Sequence, residues 1–223
     1  MNGGTSRDLL FVAWAEIAKG LSSPKRIELL DVLAQGERSV EVLADLTHLS
    51  VTNTSAHLLA LKRARLVDTR RQAQFVFYRL ADDGVVRVLR EIQSLAHRRV
   101  RDVAHVMQSF VEASDTLEPI GTAELRRRLR AGDVTLIDVR PDAEYRAGHI
   151  AGALSVPLET LQRRLRIIPK GQPVVAYCRG PYCVLAVEAV ARLRRRGYAV
   201  RRFADGFPGW KADGHPVRTG TDR

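Results

Sequence analysis

Residues 173–196 read PVVAYCRGPYCVLAVEAVARLRRR. The unbroken apolar run Pro173-Val174-Val175-Ala176-Tyr177 has the length and character of a strand buried on both faces. It stops at Cys178, and Gly180 and Pro181 interrupt any regular element. The stretch from about 183 to 196 then reads as a helix. Strand, short loop, helix is the repeating unit of an α/β fold with a parallel sheet. Moving outward, Val134-Thr135-Leu136-Ile137-Asp138-Val139 reads as a second buried strand. Val200-Arg201-Arg202-Phe203 is a weaker third, and helices at about 122–131 and 158–166 fill the gaps.

Before residue 114 the texture changes. Leu9, Leu10, Ala13, Trp14 and Ile17 recur at helical spacing. A second helix opens after Ser22 and Ser23 with Pro24 in its first turn, and Gly36 stops it. A third runs from about Val40 to Leu46 and a fourth from about Thr52 to Ala64, with Leu58, Leu59 and Leu61 expected to hold it on the core. Leu66–Arg71 and Phe75–Leu80 form a hairpin around Gln72-Ala73-Gln74. After Asp82-Asp83-Gly84, apolar residues from Val85 to Phe110 step by threes and fours along one long helix. Such a stripe calls for a partner helix, and a second subunit supplies one. Ser114-Asp115-Thr116 reads as the linker between the halves.

The chain has 223 residues and a formal net charge of +11, from 36 Lys+Arg and 25 Asp+Glu. That length fits one large or two small domains. Hydrophobic residues make up 45%, enough for a real core. With only two cysteines, Cys178 and Cys183, a disulfide-stapled secreted scaffold is excluded. No segment approaches the roughly 20 apolar residues that span a bilayer. The run Leu9–Ala15 is short, is broken by Glu16, and lacks a basic leader and a cleavage site. The expectation is a soluble, cytoplasmic protein without membrane association. The positive charge points to a polyanionic partner. Arginine bias alone also produces it, since lysine occurs only at positions 19, 25, 62, 170 and 211.

Helix, helix, turn, helix, hairpin is the order of a winged helix-turn-helix. A recognition helix enters the major groove with polar residues at its leading end, here Thr52, Asn53, Thr54, Ser55 and His57. Lys62, Arg63, Arg70 and Arg71 are placed for phosphates. Between Thr47 and Ala81 stand six basic residues and one acidic, a local +5. Over about residues 9–110 the chain resembles the ArsR/SmtB family of dimeric bacterial repressors. The resemblance rests on Ser23-Pro24-Lys25-Arg26-Ile27-Glu28-Leu29-Leu30, on Leu46–Val67 and on Tyr78-Arg79-Leu80. It implies binding of a double-stranded DNA operator as a homodimer through the helix at about 85–111, with release by an inducer. Relatives that sense metals carry a Cys-x-Cys before the recognition helix. Ser39–Leu46 has no cysteine, so no soft-metal site is expected there. His97, Asp102, His105 and Glu112 on the long helix do not reproduce the zinc spacing, and no metal or other cofactor is expected.

The stretch LIDVRPDAEYRAGHIAGA, residues 136–153, carries a second resemblance, to the rhodanese domain over about 117–219. Gly206-Phe207-Pro208-Gly209-Trp210 and Gly214-His215-Pro216-Val217 match that family's closing segment. The combined fold class is an α+β winged helix-turn-helix domain, residues 1–114, followed by an α/β rhodanese-like domain with a central parallel sheet, residues 115–223.

A loop between a parallel strand and a helix N-terminus directs backbone N–H groups inward and favours a thiolate. This makes Cys178 the nucleophile and persulfide carrier. Arg179 adds positive charge for an anionic donor, Gly180 allows a tight curve, Pro181 stiffens the loop, and Tyr182 completes it. The resemblance implies transfer of a sulfane sulfur from a small donor to Cys178 and on to an acceptor. Cysteine phosphatases of related architecture use Cys-x5-Arg. Here Val184 occupies the arginine's place, which argues against phosphate chemistry. Cys183 is either a resolving thiol or a small residue packed at a helix start. Asp138, Arg140 and Glu144 are expected to support the loops, and His149 to cap a turn. Three functions stay open, the first two being a regulator that senses reactive sulfur and a sulfurtransferase that the DNA module only places. A regulator responding to arsenic or another thiophilic species is the third.

Overall fold

The structure, a computed structural model, describes residues 3–103 and 119–221. The chain divides into two compact units between Leu89 and Arg90. The expected linker at 114–116 lies outside the described residues.

The first unit holds α1 (Gly3–Leu21), α2 (Pro24–Leu33), β1 (Arg38–Ser39), α3 (Val40–Leu46), α4 (Val51–Arg63), β2 (Val67–Gln72), β3 (Phe75–Leu80) and the start of α5 (Gly84–Arg99). Local chemistry sets the boundaries. Pro24 opens α2, Ser39 Oγ accepts from the Val42 N–H, and Ser50 Oγ accepts from the Asn53 N–H at 3.2 Å. Helices α3 and α4 end alike, in a residue with positive φ: His48 (53°) and Arg65 (58°). In each, the N–H of that residue and the N–H of the one after it fold back on the last turn. Leu49 donates to the Ala44 carbonyl and Leu66 to the Leu61 carbonyl, both at 3.0 Å.

The hairpin gains a third strand that periodicity did not show: β1 pairs antiparallel with β3, Arg38 opposite Tyr78. The core joins Leu29, Leu30 and Leu33 to Leu43, Leu58, Leu61, Val67, Tyr78 and Leu89. Leu58 and Leu61 are fully buried, but Leu59 is exposed. It lies one position, about 100°, from Leu58 and so points away from the core, which corrects the expected packing of all three. The long helix is α5 to Arg99, where the Val100 N–H closes on the Ala96 carbonyl at 2.8 Å. Helical geometry resumes over residues 101–103, and the remainder of the expected stripe lies outside the described residues.

The second unit contains α6 (Thr122–Ala131), β4 (Thr135–Asp138), α7 (Asp142–Ala147), β5 (His149–Ile150), β6 (Leu154–Ser155), α8 (Leu161–Arg164), β7 (Val174–Tyr177), α9 (Val184–Arg194), β8 (Val200–Arg202), α10 (Gly206–Ala212) and β9 (Val217–Arg218). Short 3-10 turns flank α8, so the helix expected over 158–166 is broken into three pieces. The sheet is parallel, in the order β6-β4-β7-β8. Both faces are covered, so β4 and β7 are buried at every position, with Leu136-Ile137 and Val174–Tyr177 supplying the apolar side chains. Ile137, Val174 and Ala176 face Ala186, Ala189, Val190 and Leu193 of α9. Leu136, Val175 and Tyr177 face Leu125, Tyr145, Phe203, Phe207 and Trp210.

Candidate functional site

On the first unit, the predicted DNA-reading residues separate by exposure. Thr52 and Asn53 are exposed on the leading turn of α4, and Ser55 and His57 are half-buried. Thr54 is fully buried, and its hydroxyl donates to the Ser50 carbonyl at 3.0 Å, so it holds the helix start instead of facing outward. Lys62 donates to Thr69 Oγ1 at 2.8 Å. Arg63 and Arg71 are exposed. Arg70 is tied by Nε and Nη2 to Glu37, at 3.2 and 2.6 Å. The Arg70 hydrogen bond holds the Glu37 carboxyl below its usual range. His97 on α5 and Asp102 in the helical turn after it are exposed, while His105 and Glu112 lie outside the described residues.

On the second unit, Cys178 directly follows β7 and continues its alternation, so its side chain joins the core facing α9 and is 1% exposed. Cys183 is the N-cap of α9. The two sulfurs are bonded to each other, with Cα atoms 6.4 Å apart. The loop therefore folds back on itself, and the Cys183 N–H donates to the Gly180 carbonyl at 3.2 Å.

Four neighbours clamp the loop. The Phe207 N–H donates to the Cys178 carbonyl at 2.9 Å. Gly206 has φ +63°, and a β-carbon there would meet the Gly180 amide nitrogen and, at 2.6 Å, the Cys178 carbonyl. Only glycine fits on both counts. Arg202 Nη1 donates to the Pro181 carbonyl at 2.8 Å. Arg179 is held bidentately by Glu144, with Nη2 to Oε1 at 2.6 Å and Nε to Oε2 at 3.1 Å. Its charge is thus matched by a neighbouring carboxylate. Tyr182 is exposed, and Gly180 and Pro181 are half-buried.

Behind the loop, Arg140 and Asp138 are both fully buried and pair at 2.6 Å. Asp138 Oδ1 also accepts the Arg140 backbone N–H, and Arg140 Nη2 donates to the Gly148 carbonyl at 2.7 Å. Burial opposes the Arg140 charge, but the Asp138 carboxylate outweighs it and holds the guanidinium firmly protonated. The guanidinium lies 4.4 Å over the Phe207 ring, whose backbone grips Cys178. Burial, reinforced by Asp138, pushes the Tyr177 phenol far above its ordinary range. Its oxygen accepts from the Ile150 N–H at 3.0 Å. His149 Nδ1 lies 2.9 Å from the Tyr145 carbonyl and the two rings stack. Arg202, Gly206 and Phe207 escaped the sequence reading as parts of this site. Arg202 becomes visible only once the register of β7 and β8 is known.

Comparison with known proteins bears on both units. Residues 23–69 match the bacterial regulatory proteins of the arsR family, and residues 121–213 match the rhodanese-like domain. The HTH-type transcriptional regulator Rv0324 of Mycobacterium tuberculosis is 43% identical over 210 residues, covering 92% of this chain and 90% of that protein. The chain belongs to the ArsR family and carries a rhodanese-like domain. Two further relatives match one part of this ArsR-family regulator each. A sulfurtransferase of Allochromatium vinosum is 35% identical over 100 residues, covering 44% of this chain and 92% of its own. The homodimeric winged helix-turn-helix fragment from Mycobacterium bovis, solved by NMR, is 37% identical. It covers 42% of this chain and 87% of its own, with a TM-score of 0.40.

Proposed function

We propose that this ArsR-family regulator binds its operator as a homodimer and that sulfur chemistry at Cys178 and Cys183 controls the binding. The observation that carries this reading is the bonded cysteine pair, set on a strand-loop-helix crossing. Cys178 in thiolate form attacks the sulfane sulfur of a small anionic donor such as thiosulfate. A Cys178–S–S⁻ persulfide forms and sulfite leaves. The Cys183 thiol then gives up its proton and attacks the inner sulfur. Hydrosulfide departs and the Cys178–Cys183 disulfide remains, with two thiols oxidised and the sulfane sulfur reduced. An external dithiol resets the pair.

For DNA, the supporting surface is Thr52, Asn53, Ser55 and His57 on α4, with Lys62, Arg63 and Arg71 for phosphates. A second copy of the chain accounts for the apolar residues left exposed on α1 (Leu9, Leu10, Phe11 and Trp14) and on α5 (Val88, Ile92 and Leu95).

The test is operator binding, on duplexes selected from a random pool, with and without polysulfide or thiosulfate. Wild type is expected to lose or gain at least tenfold in affinity on treatment, and Cys178→Ser to stay unchanged. A Cys178→Ser chain that responds like wild type overturns the sensing role. A response that survives Cys183→Ser returns Cys183 to packing. The likeness to the Allochromatium sulfurtransferase favours turnover as the second reading. Repeated transfer of thiosulfate sulfur to cyanide, with no change in DNA affinity, selects it.

A further inference from the structure

Among the described residues, the guanidinium groups of Arg140, Arg179 and Arg202 lie at the Cys178 loop, and two of them have a carboxylate. Arg140 has Asp138 and Arg179 has Glu144. Arg202 has none among the described residues; the partner recorded for its guanidinium is the Pro181 carbonyl at 2.8 Å.

Its position follows from the sheet. Strands β7 and β8 are parallel, with Val174 opposite Val200 and Ala176 opposite Arg202. Paired residues in a parallel ladder project from the same face, and alternation along a strand returns to that face every second residue. Val174, Ala176, Cys178 and Val200 all enter the same core. Arg202 therefore stands on the Cys178 face, one strand away, at the carboxyl end of the sheet. Arg201 projects to the opposite face, where Glu124 takes it at 3.0 Å. Two adjacent arginines thus have different fates: one is neutralised, and the other carries its charge to the loop. Burial also draws the pKa of Arg202 down, as expected of a charge with too little compensation.

We propose that Arg202, not Arg179, is the cation that serves the sulfur anion of this site. It holds the loop through the Pro181 carbonyl and lends its unmatched charge to the Cys178 thiolate, to the persulfide, and to a small anionic sulfane-sulfur donor of the thiosulfate or hydropolysulfide type. The role of the donor rests on the sulfur chemistry proposed above; the effect on the thiolate does not. Arg202 is a positioning residue, since it acts through the loop that carries the nucleophile. Other charged or titratable groups around the loop are the pairs Asp138–Arg140 and Glu144–Arg179, the Tyr177 phenol, and Asp205, whose carboxylate accepts from Thr122 Oγ1 at 2.7 Å and pairs with Arg90 at 3.2 Å. Asp138, Glu144 and Asp205 are each matched by an arginine, which leaves Arg202 as the guanidinium at the loop with no carboxylate among the described residues.

The reduced Cys183→Ser chain has a single thiol. Its ionisation can be followed by the ultraviolet absorbance of the thiolate, in difference against the Cys178→Ser/Cys183→Ser chain. Arg202→Gln is expected to raise the Cys178 midpoint by about one pH unit, the low end of what a neighbouring charge does. Arg202→Met, which keeps the buried stem, should do the same. Arg202→Lys should restore the lower midpoint, and Arg179→Gln should move it less than Arg202→Gln. An unmoved midpoint in Arg202→Gln and Arg202→Met overturns the assignment. So does an Arg202→Lys chain shifted as far as Arg202→Gln, because the arginine is then only a structural strut. In parallel, mass spectrometry after thiosulfate treatment reads sulfur added to Cys178. A shifted midpoint without sulfur loading keeps Arg202 in its role and defeats the sulfur function. Loading with an unmoved midpoint does the reverse.

Discussion

Asp138 and Arg140 illustrate how a single residue can be decisive without touching any reactant. Both are fully buried, and each satisfies the other. Removing one charge leaves its partner stranded in a medium that cannot solvate it, a loss of about 3–5 kcal/mol. Asp138→Asn is therefore expected to destabilise the second unit by that amount. Urea unfolding followed by Trp210 fluorescence in a Trp14→Phe background reads it, because Trp210 is then the only tryptophan. Gly206 is decisive for a different reason. Gly206→Ala must both adopt a left-handed φ and push the Gly180 and Cys178 backbone aside. The loop cannot keep Cys178 and Cys183 within bonding reach after such a shift. Titration of free thiols in the air-oxidised Gly206→Ala chain should find both cysteines unpaired. A fully paired chain would show that the close approach is relieved elsewhere.

At the scale of elements, what was legible in the sequence follows the length of each pattern. β7 announces itself because burial on both faces leaves four consecutive apolar residues, β4 by the run from Val134 to Val139 broken only by Thr135 and Asp138, and α2 through α4 because their starts and leucine spacing agree. β1, β5, β6 and β9 have two residues each, too few for any period to exist. They are made by their partners, as Arg38 and Ser39 are by Tyr78 and Phe77. The same limit applies to the site. Cys178 and Cys183 are read from one loop, whereas Arg202 and Glu144 reach that loop from 21 and 35 residues away. Thr54 and Leu59 were misplaced because their helix carries apolar and polar residues on neighbouring positions, and tertiary packing chose between them.

The ends of α3 and α4 show where the local pattern is strained. His48 and Arg65 occupy left-handed positions that glycine takes at no steric cost. A side chain there costs about 1–2 kcal/mol before the entropy of glycine is counted. His48→Gly should thus stabilise the first unit by about 1 kcal/mol, measured as a shift in its denaturant midpoint. Loss of stability would mean that the His48 side chain makes a compensating contact.

Across the whole molecule, charge acts through its pairing more than its sum. Residues 1–114 hold 16 basic and 13 acidic side chains, and residues 115–223 hold 20 and 12, so most of the +11 sits away from the DNA-binding fold. Pairing also sets the response to acid. Arg70 lowers the pKa of Glu37; for Asp142, burial opposes the shift but Ser155 and Arg164 prevail and lower it. A depressed carboxylate contributes stability above its unfolded pKa and loses it as pH falls through the folded one. Unfolding free energy should be level from neutral pH down to the ordinary carboxylate range and fall below it, more gently in Glu37→Gln. The pairing at Glu37 bears on DNA as well. Each phosphate contact adds about 0.9 to the slope of log affinity against log salt. Arg71 is exposed, while Arg70 is already held by Glu37. Arg71→Ala should lower that slope by about 0.9 per copy bound. Arg70→Ala should lower it less, because its charge must first leave a carboxylate before it can displace a counterion. If the Arg70 variant loses the greater slope, operator binding breaks the Arg70–Glu37 pair. The wing then rearranges on DNA, and Glu37→Gln, which frees Arg70 in advance, should bind more tightly than wild type.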